Sequence, residues 1–426
     1  MYELTMLQSA LHDGTGDRRA AFELFARRLP PGRRYGVVAG TERLLGLLRR
    51  FSFDDETMRF LTDHRIVDKP TREWLESYRF AGDVWGYPEG EVFFPGSPLM
   101  VVEGTFAEAV LLETIVLSVL NHDSAIAAAA SRMANAAGDR PVIEMGSRRT
   151  HEEAAIASAR AAYLGGFAST SNLEASRRYG VPATGTTAHA FVLLHDTERD
   201  AFRAQVESLG QGTTVLVDTY DVGEAVRAAV DIAGTSLGAI RIDSGDLLTL
   251  AGQVRGQLDS LGATKTKIVV SGDLDEYQIA ALGVTPAAAY GVGTSLVTGS
   301  GAPTAELVYK LVARGTADPD SSLVPVAKRS TGKPTYGGRK WAVRTYDGNR
   351  VAETELVTTR PPDPRPERGR PLLVPLIERG ETVCDGTLEQ ARTRLRDSLA
   401  ELPPRAVQLS HGDPVIPTVH TDARRG

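Results

Sequence analysis

Six short polar turns carry most of the side chains that could do chemistry. They are Met145-Gly146-Ser147-Arg148-Arg149, Thr184-Gly185-Thr186-Thr187-Ala188-His189, Asp218-Thr219-Tyr220, Asp243-Ser244-Gly245-Asp246, Ser271-Gly272-Asp273 and Gly291-Val292-Gly293-Thr294-Ser295. Small and hydroxyl residues let backbone N–H groups approach a phosphate, and a helix starting at such a turn adds its positive dipole. The carboxylates of Asp243 and Asp273 suit a ribose diol or hydrated Mg2+, which takes one or two carboxylates plus phosphate oxygens. Arg148 and Arg149 suit a carboxylate or phosphate through the planar guanidinium fork, or a solvated surface equally well. His189 stands among small residues, where a lone histidine is most simply a core or capping group. Asp246 and Asp275 would also serve as helix N-caps. Lys328, Arg329 and Lys333 form a basic loop fit for polyphosphate or for solvation alone. As a set, these groups point to an enzyme acting on a phosphorylated sugar.

Such turns need a frame. Apolar strands are expected at 142–144, 215–218, 239–243, 267–271 and 288–291. They alternate with helices at 172–179, 198–209, 222–233, 247–261 and 275–282, and with one to 163 capped by a Thr150/Glu153 box. Repeated βα units imply a parallel sheet covered by helices. About six or seven strands in succession favour a barrel over an open sheet. In a barrel the strand C-terminal ends face one mouth, so residues distant in sequence converge there. The first quarter reads as mixed α+β, with helices at 2–12, 41–50, 54–63 and 71–78, strands at 22–25 and 33–40, and hairpins over 84–104. The segment 106–137 reads as one long helix or two, the break falling near Asn121-His122. Strands at 341–344 and 372–376, an exposed loop at 360–370, a helix at 388–402 and disorder from about Ser410 are expected at the other end.

Composition sets limits. The chain has 426 residues, 42% hydrophobic and 24% charged, with a formal net charge of -6. Lys and Arg are spread along it, so no nucleic-acid footprint is expected. A single cysteine, Cys384, excludes a disulfide scaffold or a cysteine-based zinc site and fits a reducing cytoplasm. No apolar run reaches ~18 residues, so no membrane span is expected. The first residues carry no basic leader pattern. The chain opens inside a structured element, which suggests that a preceding piece is absent.

At these motifs the chain resembles the nicotinate phosphoribosyltransferases, of the actinobacterial kind. The resemblance rests on the turns at 145–149, 185–189, 242–246, 271–276 and 290–294, together with Gly165-Gly166-Phe167-Ala168-Ser169-Thr170-Ser171-Asn172, Tyr309-Lys310-Leu311 and the Lys328/Ser330/Lys333 loop. It implies an incomplete α/β barrel at 116–324 beside an α+β domain built from both chain ends, 1–115 plus 325–426. It implies a homodimer with shared active sites. The implied reaction joins nicotinate to 5-phosphoribosyl 1-diphosphate, giving nicotinate mononucleotide and diphosphate, driven by ATP through a phosphohistidine. On that pattern His189 carries the phosphoryl group, and a neutral imidazole can attack a γ-phosphate. Arg241, Asp243 and Ser244 hold phosphate, ribose or Mg2+, with Asp243 the metal contact. Gly272 and Asp273 meet the ribose hydroxyls. Gly293 and Thr294 wrap the 5′-phosphate, and Arg148 pairs with the nicotinate carboxylate near Thr170 and Ser171. Lys310, Lys328 and Lys333 reach ATP or diphosphate, and Tyr2 contacts substrate.

The pattern has departures. The aspartate of the family opening is absent ahead of Tyr2, Met145 stands where many relatives place phenylalanine, and Ala190 stands where they often place glutamate. A thioether still packs on an aromatic face. Sister enzymes using nicotinamide or quinolinate are the nearest alternatives. Arg148 favours an acid over an amide, and quinolinate enzymes lack the phosphohistidine motif. A catalytically dead phosphosugar-binding regulator and a barrel aldolase or isomerase are further alternatives. Intact His189, Asp243 and Asp273 argue against the first, and the lack of a strand-end lysine against the second.

Overall fold

The computed structural model describes residues 1–316, 322–328, 336–364, 366–384 and 386–421. The chain divides into two compact units, Ile126–Pro303 and a second assembled from Met1–Ala125 with Thr304–Gly426.

The unit Ile126–Pro303 is built on six parallel strands. Their order is Ser169–Thr170, Val142–Glu144, Ala289–Val292, Lys267–Ser271, Ala239–Ile242, Thr214–Leu216. Apart from one seam, chain neighbours are sheet neighbours, and the last strand returns to pair with the first through Tyr290 and Val142. The seam lies between Ser169–Thr170 and Thr214–Leu216, which are opposite edges of the sheet. This is an incomplete barrel, as expected. The strands Val142–Glu144 and Ala289–Val292 are wholly buried, in keeping with their mostly apolar residues, Glu144 being the charged exception. Helices capped by Asn172, Thr197, Asp221, Asp246 and Asp275 follow the turns.

One local expectation fails here. The helix Glu152–Leu164 has His151 at its N-cap and no side-chain cap, because Ser147–Arg149 winds into a 3-10 turn that leaves Thr150 before the cap position. The apolar run after His189 forms the short helix His189–Leu193.

The other unit interleaves both chain ends. Its seven-stranded sheet runs Val324–Pro325, Leu307–Arg314, Arg19–Ala26, Met100–Thr105, Asp83–Gly86, Val374–Glu378, Glu381–Thr382. Leu24 opposes Tyr309 on one side and Met100 on the other, so neither end completes the sheet alone. A four-stranded sheet joins Gly369–Pro371, Trp341–Tyr346, Ala352–Thr358 and Thr418–His420. Two expectations are corrected by it. Thr418–His420 is a strand paired parallel to Ala352–Thr358 rather than a disordered tail. Arg370 lies in a strand and meets Glu91 and Glu401 rather than sitting in an exposed loop.

The segment 106–137 is two helices, Phe106–Val110 and Glu113–Ala137. The break precedes Glu113 and not Asn121, because Asn121 spends its amide on both backbone groups of Leu307 while the helix continues. By length and composition this segment would pass for a membrane span, with a mean hydropathy of 1.4 in its best window. Since 61% of that window is buried within the protein, its surroundings are those of a core helix.

Candidate active site

Four of the six polar turns meet in one cleft, whose wall includes neither the His189 turn nor the Asp218 turn. It is lined by Met145, Arg148, Arg149, Arg241, Asp243, Ser271, Gly272, Asp273, Gly291, Gly293 and Thr294. These residues come from four strand ends, and all belong to the parallel unit. The close approach of turns has a visible cause in two glycines. A Cβ on Gly272 would lie 2.2 Å from the carbonyl oxygen of Asp243, and one on Gly291 would lie 2.8 Å from Met145 Sδ. Asp273 itself has φ 46°, a left-handed conformation that aspartate tolerates better than bulkier residues.

Arg241 is the hub. Its Nε donates to Ser271 Oγ at 2.8 Å and its Nη2 to Asp243 Oδ1 at 2.7 Å. Its Nη1 reaches the histidine turn, donating to Thr186 Oγ1 at 2.9 Å and to the Thr187 carbonyl at 3.3 Å. Ser271 Oγ also donates to Asp243 Oδ1 at 2.6 Å. Burial pushes the Asp243 carboxyl up, but the Ser271 hydroxyl and the Arg241 charge outweigh it, with help from His189, and hold it below its usual value. The carboxylate is therefore ionised at neutral pH.

The turn carrying His189 is fixed from several sides. Thr184 N–H donates to the Thr170 carbonyl at 2.9 Å, and Thr187 Oγ1 donates to buried Gln205 at 3.2 Å. His189 Nδ1 lies 3.1 Å from Thr219 Oγ1. Among the described residues its Nε2 makes no hydrogen bond. Asp218, one residue before Thr219, accepts from Asp243 N–H at 3.0 Å and from Ser244 Oγ at 2.6 Å.

Several expected residues sit elsewhere. Thr170 is fully buried, and its hydroxyl is taken by Glu144 and by Asn172 N–H. Ser171 is exposed beside it. Tyr2 and Lys310 belong to the other unit, where both engage Glu113. Lys328 is exposed, and Lys333 lies outside the described residues. Sequence reasoning missed Glu144, Gln205 and the bridging role of Asp218. Asp218 could have been weighted more, since it ends an apolar strand as Asp243 does. Gln205 lies within a helix and gave no signal.

Among the described residues no group of three or more His, Cys, Asp or Glu side chains could hold a metal by itself. The cleft carboxylates are Asp243 and Asp273. Two carboxylates fit Mg2+ that takes its remaining ligands from water and phosphate oxygens.

Comparison with known proteins places this geometry. Residues 1–121 match the model of the nicotinate phosphoribosyltransferase (NAPRTase) N-terminal domain, and residues 141–331 that of the nicotinate phosphoribosyltransferase (NAPRTase) family. The chain is 57% identical to nicotinate phosphoribosyltransferase pncB1 of Mycobacterium tuberculosis, covering 98% of this chain and 93% of that one. It is 38% identical to the Bacillus subtilis nicotinate phosphoribosyltransferase, covering 81% and 72%. The crystal structure of human nicotinic acid phosphoribosyltransferase superposes with a TM-score of 0.84 at 26% identity, covering 99% and 97%. The chain belongs to the nicotinate phosphoribosyltransferase family.

Proposed function

We propose that the protein transfers the phosphoribosyl group of 5-phosphoribosyl 1-diphosphate to nicotinate, with ATP hydrolysed through a phosphohistidine at His189. The observation that carries this reading is Arg241, which joins the Asp243/Ser271 cradle to the histidine turn. In the transfer the pyridine nitrogen bonds to the anomeric carbon, and the bond to diphosphate breaks with its electron pair leaving on oxygen. The transition state is oxocarbenium-like, so positioning and electrostatics supply most of the catalysis.

Each group has a task in that reaction. Arg148 and Arg149 line the cleft as cations, and Arg148 pairs with the nicotinate carboxylate. Gly293 and Thr294 hold the 5′-phosphate by backbone N–H at the start of the helix Thr294–Val297. Asp273 and Gly272 meet the ribose. Mg2+, when bound, neutralises diphosphate charge, and Asp243 with Asp273 would hold it. Lys310, Lys328 and Lys333 would serve ATP or diphosphate. A homodimer with shared sites and a cytoplasmic location complete the reading. The apolar side chains of Leu193 and Leu194 beside the histidine turn are 61% and 78% exposed, which suits an interface.

His189→Ala should abolish phosphate incorporation from ATP and keep slow nicotinate transfer; unchanged incorporation overturns the phosphohistidine. Arg148→Ala should raise the nicotinate KM by about tenfold or more, the worth of a charge-assisted hydrogen bond, with little change for the phosphoribosyl donor. An equal rise for both substrates contradicts the carboxylate contact.

A further inference from the structure

We infer that Glu144 is a positioning residue for acceptor specificity: its buried carboxylate clamps the turn that presents Arg148 to the strand end that presents Ser171. Glu144 ends the strand Val142–Glu144 and is 0% exposed. One carboxylate oxygen accepts from Gly146 N–H, in the turn leading to Arg148. The other accepts from Thr170 Oγ1 on the neighbouring strand. The Glu144 carbonyl accepts from Ser171 N–H at 2.8 Å. Thr170 Oγ1 in turn accepts from Asn172 N–H at 2.9 Å, and Asn172 Nδ2 donates to Ser147 Oγ at 2.9 Å. The two segments are thus closed into a ring, with Glu144 at its centre.

The carboxylate is an odd choice for this place. No cation accompanies it among the described residues: burial, Thr170 and Gly146 act on it, and burial prevails to push the carboxyl up. A buried carboxylate without an ionic partner is costly, and an apolar side chain of similar size would avoid that cost. What the apolar side chain cannot do is accept from both segments at once. The turn has no room for a side chain: a Cβ on Gly146 would lie 2.4 Å from Val297 Cγ1, 3.0 Å from the Gly293 carbonyl oxygen and 3.1 Å from Glu144 Oε1. Releasing it would free the 3-10 turn Ser147–Arg149, and with it the direction of Arg148. The phosphate-handling groups at Arg241, Asp243 and Ser271 are held by their own bonds.

This inference rests on the reading of Arg148 as the contact to the acceptor carboxylate. The test is steady-state kinetics of the full chain and of Glu144→Leu, Glu144→Gln and Thr170→Val, with nicotinate and the phosphoribosyl donor varied separately. Glu144→Leu should raise the nicotinate KM about tenfold and leave the donor KM within about twofold, because only the acceptor turn is released. Glu144→Gln keeps an acceptor for Gly146 N–H and places a donor at Thr170 Oγ1, so it should recover most of the loss. Should Glu144→Leu not fold, Thr170→Val removes one arm alone and should show the same uneven rise. A parallel rise in both KM values, or a Gln variant as impaired as the Leu variant, overturns the clamp while the reaction stands. A wild-type protein inert toward nicotinate overturns the reaction, and the specificity role falls with it.

Discussion

The molecule holds two networks of opposite charges, and they differ in what they leave open. In the unit built from both chain ends, Arg344 is fully buried between Glu91 at 2.7 Å and Glu355 at 2.6 Å. Arg370 reaches the second oxygen of Glu91 at 2.7 Å and Glu401 at 2.8 Å. Ser398, Ser97 and Tyr87 close the remaining sides around Arg344 and its two glutamates, while Arg370 and Glu401 form the network's edge, 30% and 26% exposed. In the parallel unit, Arg241 and Asp243 form one tight pair at the wall of a cleft, their side chains 11% and 26% exposed. Arg148 and Arg149 stand beside them on the same cleft, exposed, their guanidinium groups without a hydrogen bond among the described residues. A closed network of charges can only hold the fold. An open one has capacity left for a ligand, and its residual charge here is positive toward phosphates and a carboxylate.

The largest test of that difference is a matched pair of substitutions. Arg344→Met leaves Glu91 and Glu355 buried without their main cation, which should cost about 3–5 kcal/mol of stability. Arg241→Met leaves Asp243 partly solvated and should cost only about 1 kcal/mol, yet it should abolish nicotinate transfer. Urea unfolding and turnover measured on both variants decide the matter. Comparable losses of stability in the two would remove the distinction between a closed and an open network.

The open network was largely legible in the sequence and the closed one was not, for a physical reason. Asp243, Ser271-Gly272-Asp273 and Gly293-Thr294 each sit just past an apolar strand, and parallel βα topology gathers strand ends at one mouth. Local pattern plus topology therefore places them. Arg344 meets Glu91 across 253 positions and Arg370 meets it across 279. Those pairings depend on how the two chain ends interleave, which no local pattern encodes. The same long-range pairing explains why the strand Thr418–His420 was missed, since it is short and held by Ala352–Thr358 from far along the chain. Ala352–Thr358 is a local hairpin partner of Trp341–Tyr346 and was missed because its apolar alternation is broken. Within the site, the Arg241 link to Thr186 and the Gln205 link to Thr187 were also unreadable, because both depend on how the histidine turn lies against the sheet.

A smaller test uses pH, because two carboxyls, one in each unit, are displaced far in opposite directions. Burial pushes the Glu91 carboxyl up, but Arg344 and Arg370 outweigh it and hold it at about 2. A lowered carboxyl adds stability that is fully present above the unfolded value of about 4.3 and is lost as pH falls toward 2. Arg370→Met removes one of the two cations and should shrink that acid loss. Glu198, in the parallel unit, is raised to about 7 by burial and then by Asp221 and Asp218. Its Oε1 has no hydrogen-bond partner among the described residues. The sign is reversed for a raised carboxyl: stability is greatest below the unfolded value and declines as pH rises through 7. Glu198→Gln removes that decline. Its melting temperature should match the wild type at pH 5 and exceed it by a few degrees at pH 8, the smallest of the effects argued here. A gap that stays constant from pH 5 to pH 8 would show that Glu198 is already ionised throughout, and that crowding by Asp218 and Asp221 does not hold its proton.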